Sequence, residues 1–541
     1  MKNILGKVTV KLLSCLLALS IFFLTTACFG VGKDSDSDNT LEYYCWTAGY
    51  GIEWIEAMID DFGSLDWVKE KYPKFKAKPN YNDVQAFTSN RIPLGKSNTI
   101  DLFFGNLALG LHGSSYVADL TDSLYNSQVP GESVTVGEKL LKSVRDVIGT
   151  KNSDDPDAEV RYYHMPWSMS FGGIIYNETI FSKLGLQVPY TTDELFTMMD
   201  KVKALNGSNS AYPYTTSIIS SKVTYADYLF PVWWAQYEGI EQYQNFFQAI
   251  DYDGVRGSAE VLKQTGRLRS LEIFEKMYAK SNGYFDRTSL NYEFKQGQVR
   301  LIRGQGLMMI NGDWFSNEMK VQMAQHAENG YDYTIGAMKT PIISKIIEKT
   351  PSIKSDAVLS KVVAEVDAGK TSSETEGVTQ KDFDIIRETR GITFANLQGA
   401  TTYVPEYASA KELAIDFLRY MATDRANAIY AKNTTGARLP FEFNLKESAP
   451  DVYKEMGKSY EVQKDFQEML DFPTFWAIPE YNTYDIVSKG GLRVFGEYSE
   501  LEKRFVGDDT LTAEKIMKNI SAYYAYEGGY RWDKVIGDAG L

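Results

Sequence analysis

Histidine and cysteine are scarce in this chain, three of each among 541 residues, and that scarcity closes several routes to function. His112, His164 and His326 show no H-E-x-x-H spacing and no partners at metal-ligand intervals, so no metal centre is expected. G-x-S-x-G and P-loop patterns are missing too. Gly110-Leu111-His112-Gly113-Ser114 lacks the lysine that a phosphate loop requires. Asp34, Asp36 and Asp38 alternate as calcium-loop ligands do, without the glycine and closing glutamate of such a loop. No cofactor is therefore expected. Cationic charge is in deficit: 57 Lys and Arg stand against 71 Asp and Glu, a net charge of −14, which argues against nucleic acid as a partner. Beyond residue 30 no apolar run reaches the roughly 20 residues of a membrane span, so the remainder reads as soluble.

The amino terminus is present as an address. Lys2, Lys7 and Lys11 form a positive region, and the apolar run Leu12–Leu24 has signal-peptide length and is short for a bilayer. It ends at Leu24-Thr25-Thr26-Ala27-Cys28, which resembles a bacterial lipobox, although Leu24 lies four residues before the cysteine and Thr25 occupies the place three before it. The expectation is a signal peptide over 1–27, lipidation at Cys28 and a flexible tether over 28–40. An ordinary cleaved signal or an uncleaved anchor are the alternatives. Gly30–Thr40 is polar and acidic without apolar periodicity, as a solvated tether should be. The product would be extracytoplasmic and held to the cell membrane by its lipid. With Cys15 removed and Cys28 lipidated, only Cys45 remains, so the core must hold by packing without an internal disulfide.

About 500 residues remain, enough for two lobes. Short β-rich segments alternate with helical ones, the pattern of an α/β fold. Leu41–Trp46 and Thr99–Phe104 read as strands. Trp54, Ile55, Met58, Ile59 and Phe62 recur at helical spacing. Thr191-Thr192-Asp193-Glu194 reads as a capped helix start, and Ala408–Tyr430 as a strong amphipathic helix. Residues 342–390 are poor in aromatics and rich in Lys, Glu, Ser and Thr, and read as a solvated insertion decorating one lobe with helices. Aromatic residues make up 13% of the chain, with 36 Tyr and 9 Trp; such side chains pair an apolar face with a polar tip, which suits a hydrated ring as ligand.

Three collinear blocks carry a resemblance. The first is Tyr163-His164-Met165-Pro166-Trp167 with Gly173-Ile174-Ile175-Tyr176-Asn177, continuing through Phe181, Leu184-Gly185-Leu186, Pro189 and Thr192-Asp193-Glu194-Leu195. The second is Gly304-Gln305-Gly306-Leu307-Met308-Met309 with Asn311-Gly312-Asp313-Trp314. The third is Ala410–Thr423 with Thr435-Gly436-Ala437-Arg438-Leu439-Pro440. In this order they resemble the extracellular solute-binding proteins of carbohydrate-uptake ABC transporters, the class that includes maltose-binding protein. The resemblance implies a periplasmic-binding-protein type II fold: two hinge-connected α/β lobes closing on a ligand in the cleft, without catalysis. It implies a first lobe of 41–164 with about 392–435 and a second of 165–391 with about 436–541. It further implies a monomer that delivers a sugar to membrane permease subunits. The rival classes are a lipid-anchored glycoside hydrolase, which needs two carboxylates roughly 5–9 Å apart across a cleft, and a surface adhesin or sensor partner on the same fold.

Candidate ligand contacts follow from strand ends and crossings. Trp46, Gly49 and Tyr50 sit just past the first strand, where the glycines flanking Tyr50 let backbone approach a ligand. Asn106 ends the second strand and offers neutral donors and acceptors. Trp167 lies beside the first crossing, and Trp314 is the expected stacking platform. Of Trp233 and Trp234, which point oppositely in an extended segment, Trp234 is the candidate. Tyr403, Arg438 and Trp476 complete the set, with Arg438 able to fork onto hydroxyls or to hold its turn.

Overall fold

The computed structural model describes residues 39–541 except 85, 152–158, 206–215, 331–332, 397–399, 456–464, 466–474, 478–484, 489 and 493–499. In chain order the strands that frame the molecule are β1 (Thr40–Trp46), β2 (Lys76–Asn82), β3 (Leu102–Gly105), β4 (Met165–Pro166), β5 (Ser170–Asn177), β6 (Thr216–Ile218), β7 (Gly306–Gly312), β8 (Ile335–Met338), β9 (Ile392–Asn396), β10 (Thr401–Tyr403) and β11 (Phe475–Ala477). They form two sheets. One runs β2-β1-β3-β10-β4, with β1 parallel to β2 and β3, and β10 antiparallel to β3 and β4. The other runs β11-β9-β5-β7-β6, with β8 pairing the far half of β5. The expected two-lobed α/β architecture is what the sheets build.

Alternation explains why β5 sits centrally. Ile174 and Tyr176 point into one apolar core while Phe171 and Ile175 point into another, so both faces are buried and the strand reads as an unbroken apolar run. Helix α1 (Glu53–Ser64) buries Trp54, Ile55, Met58, Ile59 and Phe62, the residues its spacing selects. Helix α2 (Thr192–Leu205) starts where the Thr191 hydroxyl accepts from the Glu194 amide. Helix α3 (Phe230–Glu238) is buried on every side and packs against α4 (Thr265–Tyr278).

Sheet membership corrects the lobe boundaries. β4 still belongs to the first sheet, so the first crossing is 167–169, not 164–165. β9 pairs with β5 and β11, which puts residues 392–396 with the second lobe, whereas β10 from Thr401 pairs in the first sheet. Residues 437–442 remain with the first lobe: Leu141 N–H donates to Pro440 O, Glu442 N–H donates to Lys139 O, and Ala437, Leu439 and Phe441 fill the first core. The return to the second lobe therefore comes after residue 442, not at 436.

Two further expectations change. Between β7 and β8 runs α5 (Phe315–Glu328). Residues 342–390 then form α6 (Asp356–Asp367) and α7 (Gln380–Arg390), helices as expected but not a solvated module. Ile342, Ile346, Leu359, Val362, Val363, Val366, Phe383 and Ile386 are all in the second core. Their apolar residues fall once per turn among charged ones, which lowers the average hydropathy without exposing the inner face. The single helix read over 408–430 is two, α8 (Lys411–Met421) and α9 (Asp424–Asn433). Thr423 breaks it by going extended and accepting from the Ala426 amide, which starts the second helix.

Candidate functional site

The ends of β1, β3 and β7 and the start of β5 converge where the two sheets meet, and loops beyond strand ends are where open α/β sheets bind ligands. From β1 the chain turns through Gly49 (φ +75°) and Gly51 (φ +71°). These positive angles keep the turn tight, and the Gly49 carbonyl accepts from Asn317 Nδ2 at 2.9 Å, a contact from α5 across to the first lobe. Tyr50 is only 4% exposed, and its hydroxyl donates to Asp313 Oδ1 at 2.7 Å and lies 3.1 Å from Ser170 Oγ. Tyr50 is thus a bridge from the first lobe to residues on β5 and the loop after β7.

Asp313 is fully buried. Burial pushes its carboxyl up to about 8, against the lowering effect of Tyr50 and of nearby backbone N–H groups. The Tyr50 hydroxyl is itself pushed up, first by burial and then by the Asp313 charge. A carboxyl that favours its neutral form sits in this buried junction at lower cost than a charged one.

Trp314 is half-buried and packs against both cores. Its ring lies flat over Gly312, where an added Cβ would come within 2.1 Å of Cζ3. Tyr228 lies over Gly172 in the same way, with an added Cβ 2.3 Å from the ring. Gly172 and Gly312 are paired in register between β5 and β7, so two bare positions on one patch of sheet seat two rings side by side. The rings meet edge to face at 6.0 Å and 86°. Tyr225 stacks on Tyr228 at 4.9 Å and also presents its ring to Trp314 at 5.8 Å, while Phe394 stacks on Tyr228 at 4.4 Å.

The structure brings Trp46, Gly49, Tyr50 and Trp314 to this junction. Trp46 ends β1 half-buried, and its buried indole N–H has no hydrogen-bond partner. Asn106 follows β3, half-buried. Arg438 lies at the hinge, where its backbone carbonyl accepts from Met169 N–H and a guanidinium nitrogen donates to Phe441 O. Three candidates are placed elsewhere. Trp167 is 1% exposed and stacked on Trp54 at 5.1 Å and 10°, with its N–H given to Gly105 O, so it is hinge core. Trp234 is interior because its segment is the helix α3, not extended; its N–H donates to Gln264 Oε1 and it is ringed by Tyr243, Phe246 and Phe247. Tyr403 is fully buried, with its hydroxyl committed to the Ala108 amide and to His112 Nε2. Trp476 has its backbone on β11 opposite Thr393, and its side chain lies outside the described residues, as does Cys28.

Sequence reasoning missed Ser170, Tyr225, Tyr228, Asn317 and the role of Asp313. The glycines of Phe171-Gly172-Gly173 and Gly312-Asp313-Trp314 were the available signal, since a glycine inside a strand often marks close approach of another group. Among the described residues no three His, Cys, Asp or Glu side chains gather to hold a metal ion, and no helix is long and apolar enough to cross a membrane.

No curated protein matches the sequence significantly. Solved structures do match the fold. The solute-binding protein RafE in complex with raffinose aligns over 90% of this chain and 98% of its own, with 14% identity and a TM-score of 0.51. Maltose-bound MalE3 of T. maritima aligns over 90% and 99%, with 15% identity and a TM-score of 0.53. A substrate-binding protein of Listeria monocytogenes in complex with cycloalternan aligns over 93% and 99%, with 15% identity and a TM-score of 0.52. At such identities the likeness is one of fold. The family model described as bacterial extracellular solute-binding protein matches residues 58–457, most of the chain, and the chain belongs to that family.

Proposed function

We propose that this protein captures a sugar or oligosaccharide between its lobes and delivers it to the permease of an ABC importer, tethered to the membrane by lipid on Cys28. The observation that carries the sugar reading is Trp314. It stands at the end of β7 on a glycine floor, half-exposed, flanked by Tyr225 and facing the Gly49 turn, whose added Cβ would lie 3.7 Å from the Trp314 Cβ. An aromatic face fixed this way can stack on the apolar C–H face of a sugar ring, and Trp46 N–H and Asn106 add neutral hydrogen-bonding groups. The raffinose, maltose and cycloalternan complexes of similar folds support the same ligand class.

A thermal-shift screen of residues 39–541 against mono- and oligosaccharides, amino acids and polyamines tests the reading. A sugar present at 100 times its Kd should stabilise by about 2.7 kcal/mol, and Trp314→Ala should weaken binding at least ten-fold, about 1.4 kcal/mol. A shift with amino acids or polyamines and none with sugars would refute the ligand class. Turnover of the bound sugar on long incubation would show a glycoside hydrolase instead.

A further inference from the structure

We propose that a groove along the helix Phe294–Ile302 is a second ligand site of this protein, one that takes a sugar phosphate. It stands apart from the sugar-capture reading above, because none of its lining residues belongs to the Trp314 cluster.

The helix sorts its side chains into two faces. Gly297, Gln298, Leu301 and Ile302 are buried. Lys295, Gln296, Val299, Arg300 and Arg303 recur at the complementary helical spacing, and all five line a groove of about 570 Å³. Gln305, just before β7, and Gln322, on α5, complete the polar lining. That volume lies within the roughly 300–1,000 Å³ of small-molecule sites.

Three of these side chains are cationic in a chain whose net charge is −14. Among the described residues, none of Lys295, Arg300 and Arg303 forms an ion pair. Two carboxylates close to them in sequence or on α5 are committed elsewhere: Glu293 pairs with Lys222, and Glu318 accepts from Gln298 Nε2 at 2.8 Å. Arg300 is held without a carboxylate. Its guanidinium lies 4.0 Å from the centroid of the Tyr292 ring, and Nη1 donates to Gln305 Oε1 at 3.2 Å. A guanidinium fixed on an aromatic face presents its other N–H groups as a planar fork, which matches an oxyanion.

Like charges along one wall repel, and an anion placed among them replaces that repulsion with attraction. A phosphate ester brings about −1.5 to −2 charges at pH 7, where a carboxylate brings one, so it answers more of the three cations. Gln296, Gln305 and Gln322 supply neutral donors and acceptors for hydroxyl groups. Val299, half-buried, adds an apolar patch. A sugar phosphate presents the anion and the hydroxyls together.

Calorimetric titration of the full chain with glucose 6-phosphate, inorganic phosphate, glucuronate and maltose tests the assignment. Glucose 6-phosphate should bind at least ten-fold more tightly than phosphate or glucuronate. Arg300→Lys, which keeps the charge and loses the planar fork, should weaken it about ten-fold. Lys295→Gln combined with Arg303→Gln should weaken it at least as much. These positions are exposed or half-buried, so the substitutions should leave the fold intact. Maltose affinity should be the same in every groove variant, and excess maltose should not displace glucose 6-phosphate. No binding of glucose 6-phosphate, equal binding of phosphate or glucuronate, or wild-type affinity in the groove variants overturns the proposal. Displacement by maltose overturns it too, since that would put the phosphate ester between the lobes. Should no neutral sugar bind, the capture reading fails while the groove variants still decide this one.

Discussion

At the scale of single residues, the candidate site depends on what is missing at two positions. Gly172 and Gly312 carry no Cβ, and that is why Tyr228 and Trp314 can lie flat on the sheet. Gly312→Ala should lift the Trp314 ring, weaken ligand binding and cost about 1–3 kcal/mol of stability by overpacking; urea unfolding with titration of the ligand would measure both. Binding left at wild-type strength would mean that the flat seat of Trp314 has no part in capture. Asp313 gives a second residue-scale expectation. Its carboxyl is raised from the usual 3.8 to about 8 in the fold, so the fold favours the neutral form. The stability this contributes is complete below about pH 4 and is lost as pH rises through about 8. Asp313→Asn should therefore flatten the fall in melting temperature between pH 5 and 9. An identical fall in the variant would show that Asp313 stays charged. Trp314, Tyr50 and Trp46 were legible as candidates because each stands at or just past the end of a strand. Trp167 and Tyr403 were not, because an aromatic beside a crossing reads the same whether it faces ligand or packs on Trp54 and His112.

Among elements, the instructive case is the pair α6 and α7. Their low aromatic content and many charges suggest a solvated decoration, yet Leu359, Val362, Val363 and Phe383 close one side of the second core. Arg390 and Lys339 both pair with Asp367, and Arg390 also reaches Thr340 O, so the two helices are fastened back to the chain leaving β8. Leu359→Ala should cost about 2–5 kcal/mol, where a decoration would lose within about 0.5 kcal/mol. Denaturant midpoints distinguish the two. The same lesson applies to α3. Trp233 and Trp234 point oppositely only if their segment is extended, whereas Phe230–Glu238 is a helix buried on every side, Gln236 and Glu238 included. Periodicity cannot separate a buried helix from a buried strand when every position is apolar. Where a polar face exists, as in α1, pattern and element agree.

For the whole molecule, the junction of the lobes is what matters. Tyr50 to Asp313 and Ser170, and Asn317 to Gly49, join the first lobe to the second near the candidate site. The Trp167 amide to Ala400 O ties the first crossing to the second, and the Met169 amide to Arg438 O ties it to the turn after α9. Tyr50→Phe removes the hydroxyl that makes both the Asp313 and the Ser170 bonds, worth about 1 kcal/mol each. It should raise the open population of the unliganded protein and weaken apparent affinity by the same factor. Small-angle scattering with and without ligand would show a larger unliganded radius of gyration; equal radii would deny the junction a part in closure. Cys28→Ser should release the protein from membranes and abolish labelling with radioactive palmitate, and retained labelling would exclude Cys28 as the anchor.

The sequence by itself determined the α/β alternation, the helices with a polar face and the strand ends near which the candidate site forms. All of these are read from neighbours a few residues apart, where spacing and composition act directly. Only the tertiary structure decided that Tyr50 meets Asp313, that paired glycines on β5 and β7 seat two rings, and that apolar residues of 342–390 belong to a core. Those relations join positions from tens to hundreds of residues apart. They arise when two sheets and their helices pack, and no local pattern records which distant side chain will fill a given space.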